Sequence, residues 1–207
     1  MSASGSAQVA DVTMPPVPQD SAAAADGAVL HGTGFVLRPW RAGDLDALVR
    51  HADDAQVARG LGARFPVPYT RADGAAFLAG HVVEGDGLQR AIVIDGEACG
   101  GIGLRPGRGE RRCGASLGYW LGRRYWNRGL MTRVVALYAP WVMRQLRLAR
   151  LEATVFDDNP ASARVLLANG FAEEGRMRRA VVDRDGLLHD LRLFARIEDS
   201  NGIRPDE

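Results

Sequence analysis

The sequence contains no lysine: all 26 of its basic residues are arginine, against 25 acidic residues. The formal net charge of +1 argues against a chain whose main role is to coat nucleic acid or an acidic membrane. Without lysine there can be no Walker A loop, which ends in Gly-Lys-Ser/Thr. A spanning helix is not expected, because no apolar run reaches about 18 residues. The longest candidate, Val134 to Met143, is interrupted by Pro140. There are only two cysteines, Cys99 and Cys113, with no CxxC pattern. The four histidines (His31, His51, His81, His189) are scattered, so no metal centre is expected. Reduced thiols of this kind suit a cytoplasmic protein.

What is present points to one domain with tails. Residues 1–28 are rich in Ala, Ser, Pro and Asp and carry no aromatic or basic side chain. They lack both the basic start and the apolar core of a secretory signal, and read as a flexible tail. Residues 34–198 form the patterned domain, and 199–207 a short C-terminal tail. Phe35 to Arg38 reads as a strand stopped by Pro39, and Asp44 as the cap of a helix through Leu45, Leu48 and Val49. A further helix is predicted from Asp73 to about His81, with Ala76, Phe77 and Val82 facing inward. Ala91–Ile94 and Ala98–Leu104 flank Asp95-Gly96, a hairpin signal, and Ala115–Leu121 adds another strand.

The most informative stretch follows. After the strand ending in Leu121 come a loop, Gly122 to Asn127, and a helix opening near Arg128-Gly129. Leu130, Val134, Leu137, Tyr138, Trp141 and Val142 fall on one face of that helix. Pro140 is expected to kink or interrupt it. Leu151–Phe156 reads as a strand, Asn159-Pro160 as a helix start, and Asn169-Gly170 as its end. Ala180–Val182, Asp185-Gly186 and Leu187–Ile197 read as a closing hairpin. A strand leading through a glycine-bearing turn into a helix aims unpaired N–H groups and roughly half a positive charge at one point. Between Leu104 and Arg133 there are eight arginines against one acid, Glu110, a local charge of +7. A phosphorylated ligand suits such a segment. Gly100-Gly101-Ile102-Gly103 does not open a helix, so a dinucleotide fingerprint is a poor match. The aromatics Tyr119, Trp120, Tyr125 and Trp126 suit cleft walls better than a nucleic-acid platform, and nucleic acid is not an expected partner.

Gly118-Tyr119-Trp120-Leu121 followed by Tyr125-Trp126-Asn127-Arg128-Gly129-Leu130-Met131-Thr132 resembles the acyl-CoA-binding motif of the GNAT superfamily of N-acetyltransferases. Asp158-Asn159-Pro160-Ala161-Ser162 and Leu167-Ala168-Asn169-Gly170-Phe171 are similar to its second signature. Leu37-Arg38-Pro39 with Asp44 resembles the opening of the RimJ/RimL-like branch, the ribosomal-protein N-terminal acetyltransferases. The resemblance implies an α/β (α+β) fold with a central mixed, mostly antiparallel twisted sheet flanked by helices. It implies acetyl-CoA as donor, a small-molecule or protein N-terminal amine as acceptor, and a scaffold compatible with a homodimer.

By the same resemblance, the backbone of Trp120, Leu121 and Gly122 pairs with the pantetheine arm. The amides of Trp126, Asn127, Arg128, Gly129, Leu130, Met131 and Thr132 cradle the pyrophosphate. Asn159 holds the arm from the other side, Arg164 meets a CoA phosphate or a surface acid, and Ser162 assists the departing thiolate. Departures from the family pattern are Trp126 and Met131 at the motif's ends, Asn127 where glycine is common, and Arg133 where glutamate often follows. The bulk of Met131 predicts a narrowed site. Ser116 stands where the branch often carries an acid, and Glu110, Asp183, His189 and Asp190 are the candidate bases. An α-amine needs little base help. A lysine amine costs roughly 4.6 kcal/mol to deprotonate at pH 7, at about 1.36 kcal/mol per pKa unit. A fold that binds or senses acyl-CoA without turning it over remains the alternative.

Overall fold

The computed structural model describes residues 27–62, 65–81 and 88–198. Residues 1–26 and 199–207, and with them nearly all of the expected tails, lie outside the described residues, as does Val82. Eight strands form one sheet. They are β1 (Leu30–Gly32), β2 (Phe35–Arg38), β3 (Arg90–Ile94), β4 (Glu97–Pro106), β5 (Gly114–Leu121), β6 (Arg150–Phe156), β7 (Ala172–Val182) and β8 (Leu188–Ile197). Their spatial order is β1-β2-β3-β4-β5-β6-β8-β7, and every neighbouring pair is antiparallel except β5–β6. Asp95 and Gly96 both take positive φ, 49° and 82°, as a tight two-residue hairpin requires.

Helices cover both faces. On one lie α4 (Leu130–Gln145) and α5 (Pro160–Leu167). Val134, Val135, Tyr138 and Val142 of α4 pack with Ile92, Ile102, Leu104 and Leu151 of the sheet in the main core. Tyr138 is fully buried, and its hydroxyl donates to the Leu88 carbonyl at 2.6 Å. Of the kink or interruption expected at Pro140, the interruption does not occur: α4 continues through it, and the buried face on either side outweighs the lost backbone bond. On the other face lie α1 (Leu45–Ala52), α2 (Ala55–Arg59) and α3 (Arg71–Leu78). There Leu48 and Tyr69 pack with Trp40, Phe65, Phe77 and Trp120.

Three further expectations are corrected. Asp44 precedes α1 but makes no side-chain cap. Its carboxylate takes both Nη atoms of Arg38 at 2.7 Å and the Arg41 N–H at 2.9 Å, so that it pins β2 to the turn before the helix. The helix expected from Asp73 starts at Arg71, because Thr70 and Asp73 form a reciprocal capping box, and it stops at Leu78. The closing hairpin is longer than its apolar residues suggested: β7 begins at Ala172, and its run of charged, exposed positions hides the strand from a reading based on alternation.

Candidate active site

The site begins where two strands part. β5 and β6 pair only from Gly114, Ala115 and Ser116 to Arg150, Leu151 and Glu152. Beyond that point β5 stays with β4 while β6 stays with β8. Gly122 donates its N–H to the Cys99 carbonyl at 2.7 Å, on the β4 side. Strand groups alternate sides, so the backbone groups of Leu117, Tyr119 and Leu121 face the gap, whereas those of Trp120 and Gly122 face β4. Of the three residues expected to pair with a pantetheine arm, only Leu121 therefore presents its backbone to the opening. Its carbonyl already accepts the Trp126 indole N–H at 2.6 Å.

At the end of the gap a 3₁₀ turn, Arg123–Tyr125, leads into α4. Gly129 is the N-cap of that helix at φ 63°, and Asn127 sits at φ 59°. Asparagine is among the few non-glycine residues that tolerate this region, so the departure at Asn127 keeps the turn's geometry. Arg133 folds back to donate to the Arg128 carbonyl at 3.2 Å. Met131 is half-buried and packs against the main core while also lining the opening.

A cleft of about 1380 Å³ runs through the gap to the α1–α3 face. All the residues expected to hold the coenzyme line it except Gly122 and Arg128. Gly122 instead lies against His51: a Cβ there would stand 2.6 Å from Nδ1, so glycine is required by close approach. Arg164 is exposed on the cleft wall and has no ion-pair partner among the described residues.

Asn159 caps α5, its Oδ1 accepting the Ser162 N–H at 3.1 Å. The Ser162 hydroxyl lies 2.8 Å from the Tyr119 hydroxyl. Burial pushes the Tyr119 phenol up to about 12, so it carries its proton through the neutral range. Sequence reasoning gave Tyr119 no role in the chemistry. Strand parity held the signal, since Tyr119 and Trp120 must point to opposite faces. Trp120 points to the α1–α3 side, where it stacks with Trp40 at 6.5 Å and an interplanar angle of 8°. Trp40 Nε1 is buried there without a hydrogen-bond partner among the described residues.

None of the four candidate bases lines the cleft. Asp183 accepts the Leu187 N–H and His189 Nε2, which hold its carboxyl below the usual range. His189 is raised by that same Asp183 contact. The Arg179 N–H and the Arg176 guanidinium keep Asp190 low. Glu110 lies on an exposed turn. Ser116 lines the cleft and lies 3.4 Å from Glu152. The carboxylates on the cleft wall are Asp73, committed to the α3 cap, and Asp158, paired with Arg59 at 2.8 Å. Asp157, Asp158 and His189 also bring ligand atoms within 4.8 Å of one another, a grouping the scattered histidines did not announce. Each is already paired, Asp157 with Arg176, Asp158 with Arg59 and His189 with Asp183.

Among the described residues no helix is long and apolar enough to cross a membrane. The model of the acetyltransferase (GNAT) domain matches residues 35–172, well over half of the chain. Ribosomal-protein-serine acetyltransferase of Escherichia coli is 33% identical over 86 residues, 42% of this chain and 48% of that protein. The N-acetyltransferase YoaA of Bacillus subtilis is 32% identical over 81 residues, 39% of this chain and 45% of that one. The match thus spans about half the length of these curated relatives. Among solved structures, Mycobacterium smegmatis RimJ in complex with a CoA disulfide superposes with a TM-score of 0.73 at 25% identity, covering 85% of this chain and 88% of that one. RimL, the ribosomal L7/L12 α-N-protein acetyltransferase, superposes with a TM-score of 0.74 over 84% of this chain and all of that one. At 20% identity the RimL likeness speaks for the fold alone. With that domain match over residues 35–172, and the parted strands, the left-handed turn and the capped α5 in place, the chain belongs to the GNAT acetyltransferase family.

Proposed function

We propose that the protein transfers an acetyl group from acetyl-CoA to a primary amine, a protein N-terminal α-amine or a small-molecule amine, by direct attack in a ternary complex. The observation that carries this reading is the gap between β5 and β6, which ends at the left-handed turn opening α4. A thioester arm laid in such a gap meets the unpaired strand groups of Leu117 and Tyr119. Its pyrophosphate then falls to the amides from Trp126 to Thr132, at the positive end of α4. Asn159 and Arg164 stand on the opposite wall.

In the reaction the amine nitrogen bonds to the acetyl carbon, the carbon–sulfur bond breaks and the amine gives its proton to water in the open cleft. Ser162 delivers a proton to the leaving thiolate and is resupplied by Tyr119, whose hydroxyl lies 2.8 Å away and which regains its own proton from solvent. Both carboxylates on the cleft wall are committed to other partners, so an acceptor with a low pKa suits the site better than lysine. The same commitment is the observation that favours a binding module without turnover.

Calorimetric titration with acetyl-CoA should give one site of micromolar affinity, and no heat would sink both readings. Acetyl transfer to a mixed panel of peptides and amines separates them. Product formation supports the enzyme, and binding without product supports the module.

A further inference from the structure

After α2, Gly60, Leu61, Gly62 and Phe65 form a strap along one side of the cleft, fastened to two neighbouring elements. On one side Arg59 pairs with Asp158, and Gly60 lies beside Asn159, with a Cβ on Gly60 standing 3.6 Å from Nδ2. On the hairpin side stands Arg184, at the tip between β7 and β8. Its Nη2 donates to the carbonyls of Ala58 at 3.3 Å, Gly62 at 2.9 Å and Phe65 at 3.0 Å. These bonds join residues more than 100 positions apart in the chain.

The tip that presents Arg184 is itself held by hydrogen bonds. Asp183 Oδ1 accepts the N–H groups of Asp185 and Leu187, and Oδ2 meets His189. Both banks line the cleft, Gly60, Gly62 and Phe65 from the strap and Val181 and Leu191 from the hairpin. Arg184 is thus the link that closes the wall on the acceptor side, away from the α4 turn.

We propose that Arg184 is a positioning residue for the acceptor: by bonding the carbonyls of Ala58 in α2 and of Gly62 and Phe65 in the strap, it holds the strap and the hairpin together as one preformed acceptor wall. This rests on the transferase reading given above. A wall formed only part of the time lowers apparent acceptor affinity by the fraction of molecules in which it is closed. The coenzyme turn does not feel that loss, because Arg184 makes none of its contacts there.

The test uses the full chain, acetyl-CoA, and the best acceptor from a panel of short peptides with free N-termini. Arg184→Ala should raise the acceptor KM about tenfold while changing kcat by less than about threefold. Acetyl-CoA affinity by calorimetry should stay within about twofold of the parent. Arg184→Lys should recover most of the lost KM, since an ammonium brings three N–H donors to the three carbonyls. If Arg184→Ala does not fold, Arg184→Gln takes its place and should give an intermediate KM.

An unchanged acceptor KM overturns the proposal while leaving the transferase reading standing. So does a loss of acetyl-CoA affinity equal to the loss in acceptor KM. A lysine variant as impaired as the alanine one also overturns it, because the guanidinium would then be touching the acceptor directly. A parent protein that acetylates no peptide or amine overturns the reading and the proposal together.

Discussion

The two halves of the cleft are built from different material. The half proposed to hold the coenzyme, from Leu117 to Ser162, uses backbone: a parting of strands, two left-handed residues at the turn and two helix N-termini. Its parts lie within one continuous stretch of chain. The half proposed for the acceptor joins α1–α3 to a hairpin more than 100 residues away, and side-chain charges make the joints. Arg38 holds Asp44 locally, six residues on, while across longer distances Arg59 holds Asp158, Arg123 holds Asp54, and Arg184 holds three carbonyls. Backbone geometry can be written as a short motif. Distant side-chain joints leave no such mark.

The largest effect should come from breaking a charge joint. Asp44→Ala strands a buried Arg38 and should cost about 3–5 kcal/mol, read by urea unfolding. A loss under about 1 kcal/mol, the usual worth of an exposed pair, would show that the acceptor half does not depend on that joint. Burial alone would raise the Asp44 carboxyl, but the Arg38 hydrogen bonds and the Arg41 N–H outweigh it and leave the carboxyl lowered. Its contribution is therefore present above the ordinary Asp value of about 3.9 and is lost as pH falls through the lower folded value. On the coenzyme side, Ser162→Ala should lower turnover about a hundredfold, and Tyr119→Phe about tenfold, with acetyl-CoA affinity nearly unchanged. Equal losses in turnover and affinity would move Ser162 from the chemistry to simple binding.

The same contrast explains what could be read in advance. The strands from Phe35 to Leu121, the Asp95-Gly96 turn and the Asn159 cap announce themselves through periodicity and local turn chemistry. The family motif then locates the turn at Gly129. The edge strand was legible only at its end, Ala180–Val182; its start at Ala172 was not, because exposed charges give no apolar alternation. Nor was the Tyr119–Ser162 contact, which joins residues 43 apart. The committed state of Asp183, His189 and Asp190 was hidden too. Each was a plausible base by residue type, but its partners come from elsewhere on the hairpin or from the turn after β6.

Two histidines sharpen the comparison through pH. His189, raised by Asp183, steadies the hairpin that carries Arg184. Its contribution is fully present below the ordinary value of about 6.5 and is lost as pH rises through the raised folded value. His51, lowered chiefly by burial and lying against Gly122, behaves the opposite way. Its contribution is present above about 6.5 and is lost as pH falls through the lowered folded value. Amide protection, taken relative to the intrinsic base-catalysed exchange rate, should therefore fall at the hairpin toward alkaline pH and around Gly122 toward acid. Parallel drift of both regions in one direction would dissolve the distinction between them.

The smallest effect tests whether the coenzyme turn depends on conformation rather than on side-chain chemistry. Asn127 occupies a left-handed position that glycine adopts freely and alanine resists by roughly 1–2 kcal/mol. If the turn needs only that backbone shape, Asn127→Gly should leave acetyl-CoA affinity within about twofold, whereas Asn127→Ala should weaken it about fivefold. An alanine variant that binds as well as the parent would mean the turn reshapes at no cost. A glycine variant that binds as badly as alanine would mean the Asn127 amide itself holds the ligand. In that second case the coenzyme half, too, would owe part of its function to a side chain, and its contrast with the acceptor half would narrow to a difference of degree.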